Sequence, residues 1–304
     1  RQDISKKSTL NSGIRFTNAH LTAKWMDETF FTLPDNDITV NNASVSATLG
    51  YVFKPTESWQ LNSVISTGFR SPNLDDLGKV REKSGNVTVP NIDLGPEYAY
   101  NAELGVLKHF NEKKFYVGAT VYYTLLDNYI TREAFNLNGK TTMIYDGEEA
   151  NIVANVNKKN AYIFGGTLDV KGQLTNYLST RASVTYTKGK AYDTNEPLSS
   201  IPPLFGLVEL THEKGRLAFG LDVKFNGRKK PGDYNITEGI DRYEETPYLP
   251  ETDSYYGTPA WTTLNFNSKY KLTKNIDVLV NLDNIFDIHY REFASGISAP
   301  GRNF

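Results

Sequence analysis

Between Ala43 and Phe53 every second residue is apolar (Ala43, Val45, Ala47, Leu49, Tyr51 and Phe53), while Ser44, Ser46, Thr48 and Gly50 fill most of the other set. Successive side chains of a strand point to opposite faces, so this segment has one apolar and one polar face. The same alternation recurs in residues 100–106, 115–125, 217–225 and 276–282. The joints between such runs are of two kinds. Residues 54–58, 110–114, 175–177, 213–215 and 273–275 are short, whereas 70–96, 127–160 and 227–259 are long and polar. A wall with lipid outside and polar groups inside, with turns at one end and loops at the other, is a transmembrane β-barrel. A soluble sandwich or barrel with one buried face is the alternative that alternation alone allows.

Strand starts are expected near Leu10, Ala43, Trp59, Tyr98, Phe115, Ala161, Leu178, Pro203, Leu217, Thr262, Ile276 and Gly301, about twelve strands with no helix of any length. Composition changes little. A chain of 304 residues with no Cys, 22% charged residues and a mean hydropathy of −0.47 has no apolar run of the roughly 18 residues that a spanning helix needs. A barrel tolerates this, because only alternate residues meet lipid. The 19 Tyr and 16 Phe suit interfacial girdles, and Tyr51, Trp59, Tyr98, Phe115, Tyr177 and Tyr270 are expected on the short-turn side. A net charge of −2 and an isoelectric point near 6.2 give no reason to expect nucleic acid as a partner.

Three motifs carry a family resemblance. Asn284-Ile285-Phe286-Asp287 with Tyr290-Arg291 resembles the penultimate-strand signature of TonB-dependent outer-membrane receptors. Phe69-Arg70-Ser71-Pro72-Asn73-Leu74, followed by Pro90-Asn91-Ile92-Asp93-Leu94-Gly95-Pro96-Glu97, resembles their Phe-Arg-Ala-Pro and Asn-Pro-Asn-Leu boxes. Asn155 with Ala161 and Gly165-Gly166 is similar to the segment that re-enters the barrel after a middle loop. The resemblance implies an all-β antiparallel barrel in the outer membrane of a Gram-negative bacterium, with residues 1–304 as one domain, incomplete at both ends, supplying about the last twelve of roughly 22 strands. It also implies a plug domain, a TonB box and a signal sequence upstream, none of which lies within this chain, and coupling through that plug to the TonB-ExbB-ExbD complex. A surface lipoprotein is a further partner that the resemblance allows.

By the same resemblance the activity is energy-coupled import without covalent chemistry, the cargo being an iron siderophore first and haem second. No His lies between residues 73 and 89, where haem receptors place an iron ligand. Ligand contacts are expected in the 227–259 loop at Arg228, Tyr234, Arg242, Tyr243, Tyr255 and Tyr256, whose charge and ring faces suit carboxylate or catecholate oxygens. Arg70, Gln60 and Asn62 face the lumen by alternation and are expected to meet the plug. His109 and His212 read as solvated turn residues, and no intrinsic cofactor, metal site or catalytic constellation is expected. The competing reading is a complete small outer-membrane barrel acting as a phospholipase, a protease or a passive porin.

Overall fold

The computed structural model describes residues 1–25, 37–83, 85–110, 112, 114–235, 244, 246–295 and 297–304. Its first strands are β1 (Gln2–Ser5), β2 (Ser8–Lys24), β3 (Asp37–Phe53) and β4 (Trp59–Arg70), followed by a short helix α1 (Leu74–Gly78). Then come β5 (Arg81–Lys83), β6 (Asn86–Thr88), β7 (Glu97–Phe110), β8 (Phe115–Ala134), β9 (Thr142–Tyr145), β10 (Glu148–Gln173) and β11 (Leu178–Ala191). The chain ends with β12 (Phe205–Lys214), β13 (Leu217–Asn226), β14 (Tyr248–Leu249), β15 (Ser254–Tyr255), β16 (Trp261–Lys271) and β17 (Asp277–Leu282). Among the described residues the wall runs β1-β2-β3-β4-β7-β8-β10-β11-β12-β13-β16-β17. Each strand pairs antiparallel with the next, and β1 and β17 do not pair, so the sheet does not close.

Alternation sets which way each strand faces. Ile14 and Phe16 on β2 are 83% and 70% exposed, and Val45, Leu104 and Leu168 are likewise exposed apolar residues on one side of the wall. Such a surface is stable only against hydrocarbon. Near the loop ends the chemistry of the two faces exchanges while the pairing register stays constant. On β3 the outward positions become Asn41, Thr39 and Asp37, and the inward positions become the buried Val40 and Ile38. Leu21 and Ala23 on β2 join that inward cluster, together with Leu77 and Leu94. The exchange marks where the wall leaves lipid and enters water, because apolar side chains then find shelter only on the inside.

This exchange corrects two sequence expectations. The strands extend past the starts read from the sequence, β10 beginning at Glu148 rather than near Ala161, so much of the long 127–160 segment is a hairpin standing above the membrane. A template of apolar-outward alternation cannot recognise that part. Tyr98 is not on the turn side: β7 descends from its loop end, and Tyr98 meets Phe69 there with ring centroids 5.5 Å apart. Further rings toward that end are Tyr123 and Tyr162, stacked at 6.1 Å, Tyr192, tilted against Tyr162 at 4.9 Å, and Phe164 beside Tyr186 at 6.5 Å, which form a girdle. The expected strand at Gly301 exists only as a single bridge between Asp283 and Asn303, and the unanticipated β1 pairs with β2. The turn-side His212 lies within β12, stacked 5.0 Å from Phe219, rather than in a solvated turn.

Glycine is required where a ring crosses the inner face. A Cβ on Gly165 would stand 2.4 Å from the Tyr186 carbonyl oxygen and 2.5 Å from the Tyr122 hydroxyl. Tyr122 is held over this gap by a 2.7 Å hydrogen bond to Thr187. Gly165→Ala is expected to force β8 and β11 apart locally and to destabilise the wall by about 1–3 kcal/mol. A denaturation midpoint of the intact barrel equal to wild type would sink this reading.

Candidate functional site

The loop-side rim is built on the segment after β4. Proline disfavours helical backbone at the residue before it, so Ser71 stays extended and the helix starts only beyond Pro72. Asn73 caps α1 by accepting from the Asp76 amide at 2.9 Å, while the Asp76 carboxylate accepts from the Asn73 amide at 3.0 Å. These reciprocal bonds satisfy two amides that a helix start leaves orphaned. Arg70 donates through Nη2 to both Asp76 oxygens at 2.7 Å and so ties the strand end to the cap. Leu77 is fully buried under this cap, against the inward side chains of β3.

Four asparagines then fasten the rest of the segment to the wall, Asn128 by donating its side chain to the Pro96 carbonyl at 2.8 Å. The Asn91 side chain donates to the Asn155 carbonyl at 2.8 Å, and the Asn155 side chain donates to the Asp76 carbonyl at 3.0 Å. Asn157 accepts from the Gly95 amide at 2.7 Å and donates to the Gly95 and Asn128 carbonyls at 3.1 and 2.8 Å. Beyond them β6 pairs parallel with β10 at Asn151–Val153, on the edge that β11 occupies lower down. Residues 70–83 and 85–97 therefore cross the inner side of β7 and β8, over the mouth of the lumen. Leu74, Asp75 and Arg81 remain exposed on this ledge.

A second rim element lies between β13 and β16. Arg228 donates to the Tyr256 carbonyl at 2.8 and 3.2 Å, and its guanidinium lies 3.7 Å from the centroid of the same residue's ring. Lys229 is 3% exposed; its ammonium donates to the Ile201 carbonyl at 2.8 Å and stands 4.5 and 4.4 Å from the Tyr234 and Phe293 rings. The Tyr234 hydroxyl is bonded to the Thr258 hydroxyl and accepts from the Thr258 amide at 3.0 Å. Gly257 permits this closure, with a φ of 82° and an absent Cβ that would lie 2.0 Å from the Lys229 carbonyl oxygen. At the tip, Tyr248 and Tyr255 meet edge to face at 5.3 Å. The Tyr248 hydroxyl is bonded to the Asp253 carboxylate, and that bond raises its pKa above the ordinary tyrosine value.

The residues expected from the sequence thus fall into different settings. Arg228 is exposed and lies over the half-buried Tyr256, whereas Tyr234 is 3% exposed and holds the loop together. Tyr255 is half-buried against Tyr248, and Arg242 and Tyr243 lie outside the described residues. Arg70 sits at the loop-side rim, but Gln60 and Asn62 are far down the same strand near the turn side, bonded to each other at 3.0 Å. Lys229 belongs to the charged residues of the 227–259 loop that the sequence offers as ligand contacts, but the fold cages it; Phe293 and Asn157 are not singled out by sequence. A recurrent Asn two residues after Asn155 was the available signal for Asn157. The signature Asn284 is 3% exposed; its side chain accepts from the Ile288 amide at 2.9 Å and donates to the Ile288 carbonyl at 2.8 Å, closing the turn after β17. Among the described residues no three His, Asp or Glu converge on a metal position.

Comparison with known proteins places these features. The family model described as TonB dependent receptor-like, beta-barrel matches residues 1–285. Among curated proteins, the chain is 22% identical over 265 residues to a probable hemoglobin and hemoglobin-haptoglobin-binding protein 4 of Haemophilus influenzae, covering 83% of this chain and 26% of that protein. It is 24% identical over 254 residues to hemoglobin and hemoglobin-haptoglobin-binding protein A of Haemophilus influenzae, covering 81% and 23%. The chain therefore spans about a quarter of the length of these relatives. Among solved structures, the copper transporter OprC superposes with a TM-score of 0.76 at 20% identity, over 98% of this chain and 46% of that one. The ferric enterobactin receptor PfeA of Pseudomonas aeruginosa gives a TM-score of up to 0.72 at 18% identity, over 99% and 42%.

Proposed function

Because the chain belongs to the TonB-dependent receptor β-barrel family, we propose that it is part of the wall and rim of an active importer for iron held in an anionic chelate, with haem drawn from haemoglobin as the favoured cargo. Barrels of this family lie in the outer membrane of Gram-negative bacteria and transport their ligands rather than transform them. The family match supports this reading over that of a small outer-membrane enzyme or porin. In the proposal residues 1–304 act as one wall unit, and the ledge of residues 70–83 and 85–97 narrows the mouth against which a plug upstream would rest. The TonB-ExbB-ExbD complex would drive release through that plug.

The observation that supports haem is the naming of both curated relatives for haemoglobin binding. A ferric siderophore is the second reading, favoured by one feature: the exposed guanidinium of Arg228, held on the half-buried Tyr256 ring, suits the oxygens of a catecholate. Growth of a strain lacking the gene, starved of free iron, separates the two. Loss of growth on haemoglobin and on haemin, with growth on a ferric catecholate retained, is the expected result. Loss on the catecholate alone would transfer the cargo to the second reading, and unchanged growth on all three would remove iron chelates as the cargo.

A further inference from the structure

Two ammonium groups point out of the wall at its turn-side end. Lys108 continues the outward series Leu104 and Val106 on β7 and is paired in register with Trp59 on β4. Its Nζ stands 4.6 Å from the Trp59 ring centroid and 5.8 Å from that of Phe110, and donates to the Ser58 hydroxyl at 3.0 Å. Lys214, outward on β12, repeats the arrangement 4.9 Å from the Tyr177 ring. Among the described residues neither lysine pairs with a carboxylate. One rung deeper, the Leu61–Val106 pair begins an open groove of 470 Å³ on the outward face, lined also by Tyr51, Leu104, Ala119 and Val121.

A lysine on the lipid side of a barrel is costly at the middle of the bilayer and almost free at the interface, so Lys108 marks headgroup depth. Its ring contacts and its bond to Ser58 hold the ammonium in place, and two of its three N–H groups have no hydrogen-bond acceptor among the described residues. From the juxtaposition of this fixed cation with an apolar groove directly beneath it, we infer that the Lys108 notch is a binding site for an anionic phospholipid of the periplasmic leaflet. The phosphate meets Lys108 and one acyl chain lies in the groove. A zwitterionic lipid fills the same groove without the net attraction, so the site selects by headgroup charge. The inference rests on the orientation that puts the short turns in the periplasm.

The test uses the intact receptor in bilayer discs of phosphatidylcholine doped with phosphatidylglycerol, with retained lipids counted by mass spectrometry of the native complex. Wild type is expected to enrich phosphatidylglycerol. Lys108→Ala is expected to reduce that enrichment about fivefold, the factor one ammonium near an anionic surface supplies, and Lys108→Arg to preserve it. Heat-modifiable migration on gels reports that each variant is folded. Enrichment that persists in a folded Lys108→Ala overturns the site while leaving the orientation intact. Equal retention of the two lipids by wild type likewise overturns the site and leaves the orientation intact. Displacement of phosphatidylglycerol by inorganic phosphate would make it a free-anion site and also overturn the inference.

Discussion

Lys229→Ala is expected to free the 228–235 and 254–258 segments from the rim, at a local cost of about 3–5 kcal/mol. Two terms set this magnitude. The ammonium lies between the Tyr234 and Phe293 rings at 4.5 and 4.4 Å, and a desolvated cation–π contact contributes about 2 kcal/mol. The bond to the Ile201 carbonyl adds the remainder, since a buried acceptor stripped of its charged donor costs about 1–3 kcal/mol. Hydrogen exchange at the Thr258 amide, which donates to Tyr234, reports the effect directly. Lys229→Met restores the stem's volume but neither the charge nor the bond, so its exchange rate should fall between the two. Exchange at Thr258 unchanged in Lys229→Ala would show that the cage is incidental to the loop.

Asn157→Ala is expected to release the ledge of residues 91–97 from the wall while leaving the membrane-spanning sheet intact. One side chain serves three backbone groups, the Gly95 amide, the Gly95 carbonyl and the Asn128 carbonyl, and no second residue replaces it. Each group left unpaired costs about 1–3 kcal/mol where water is excluded, and because Asn157 is only half-buried the total is set near the lower bound, about 3 kcal/mol. Asn157→Asp separates the roles: its carboxylate still accepts from Gly95 but cannot donate to the two carbonyls. Faster exchange across 91–97 with an unaltered denaturation midpoint is the expected result. If the ledge stays protected, the bonds of Asn91, Asn155, Asn128 and Glu97 suffice to hold it.

The spanning part of the wall was legible in the amino-acid order because its solvent is uniform. Lipid on one side imposes the same requirement at Val45, Leu104, Val117, Leu221 and Val280, so an alternation survives in these strands and predicts that these residues face out, although Leu279 on β17 and Val64 on β4 depart from it. Short turns such as 54–58 and 213–215 follow from the same logic, since a tight connection brings neighbouring strands into antiparallel register. Above the membrane the rule fails at particular residues. Ile38 and Val40 are as apolar as Val45 and Leu49, yet they turn inward, and only the presence of Leu77 and Leu94 beneath the ledge explains why.

The rim illustrates the same division. Arg228, Lys229 and Tyr234 are equivalent candidates as letters in a polar loop, and the fold makes the first an exposed platform, the second a caged cation and the third a buried strut. The chain by itself determined the membrane-spanning strands from β3 to β17 and the facing of their alternating runs, but not β1 or the extent of β10, because alternation depends on neighbours one and two residues away and on a single solvent boundary. Tertiary structure alone decided where Tyr98 lies, which loop crosses the mouth, and which charged groups remain available. Those outcomes depend on hydrogen bonds and burial between residues as far apart as Asp76 and Asn155, which no local pattern encodes.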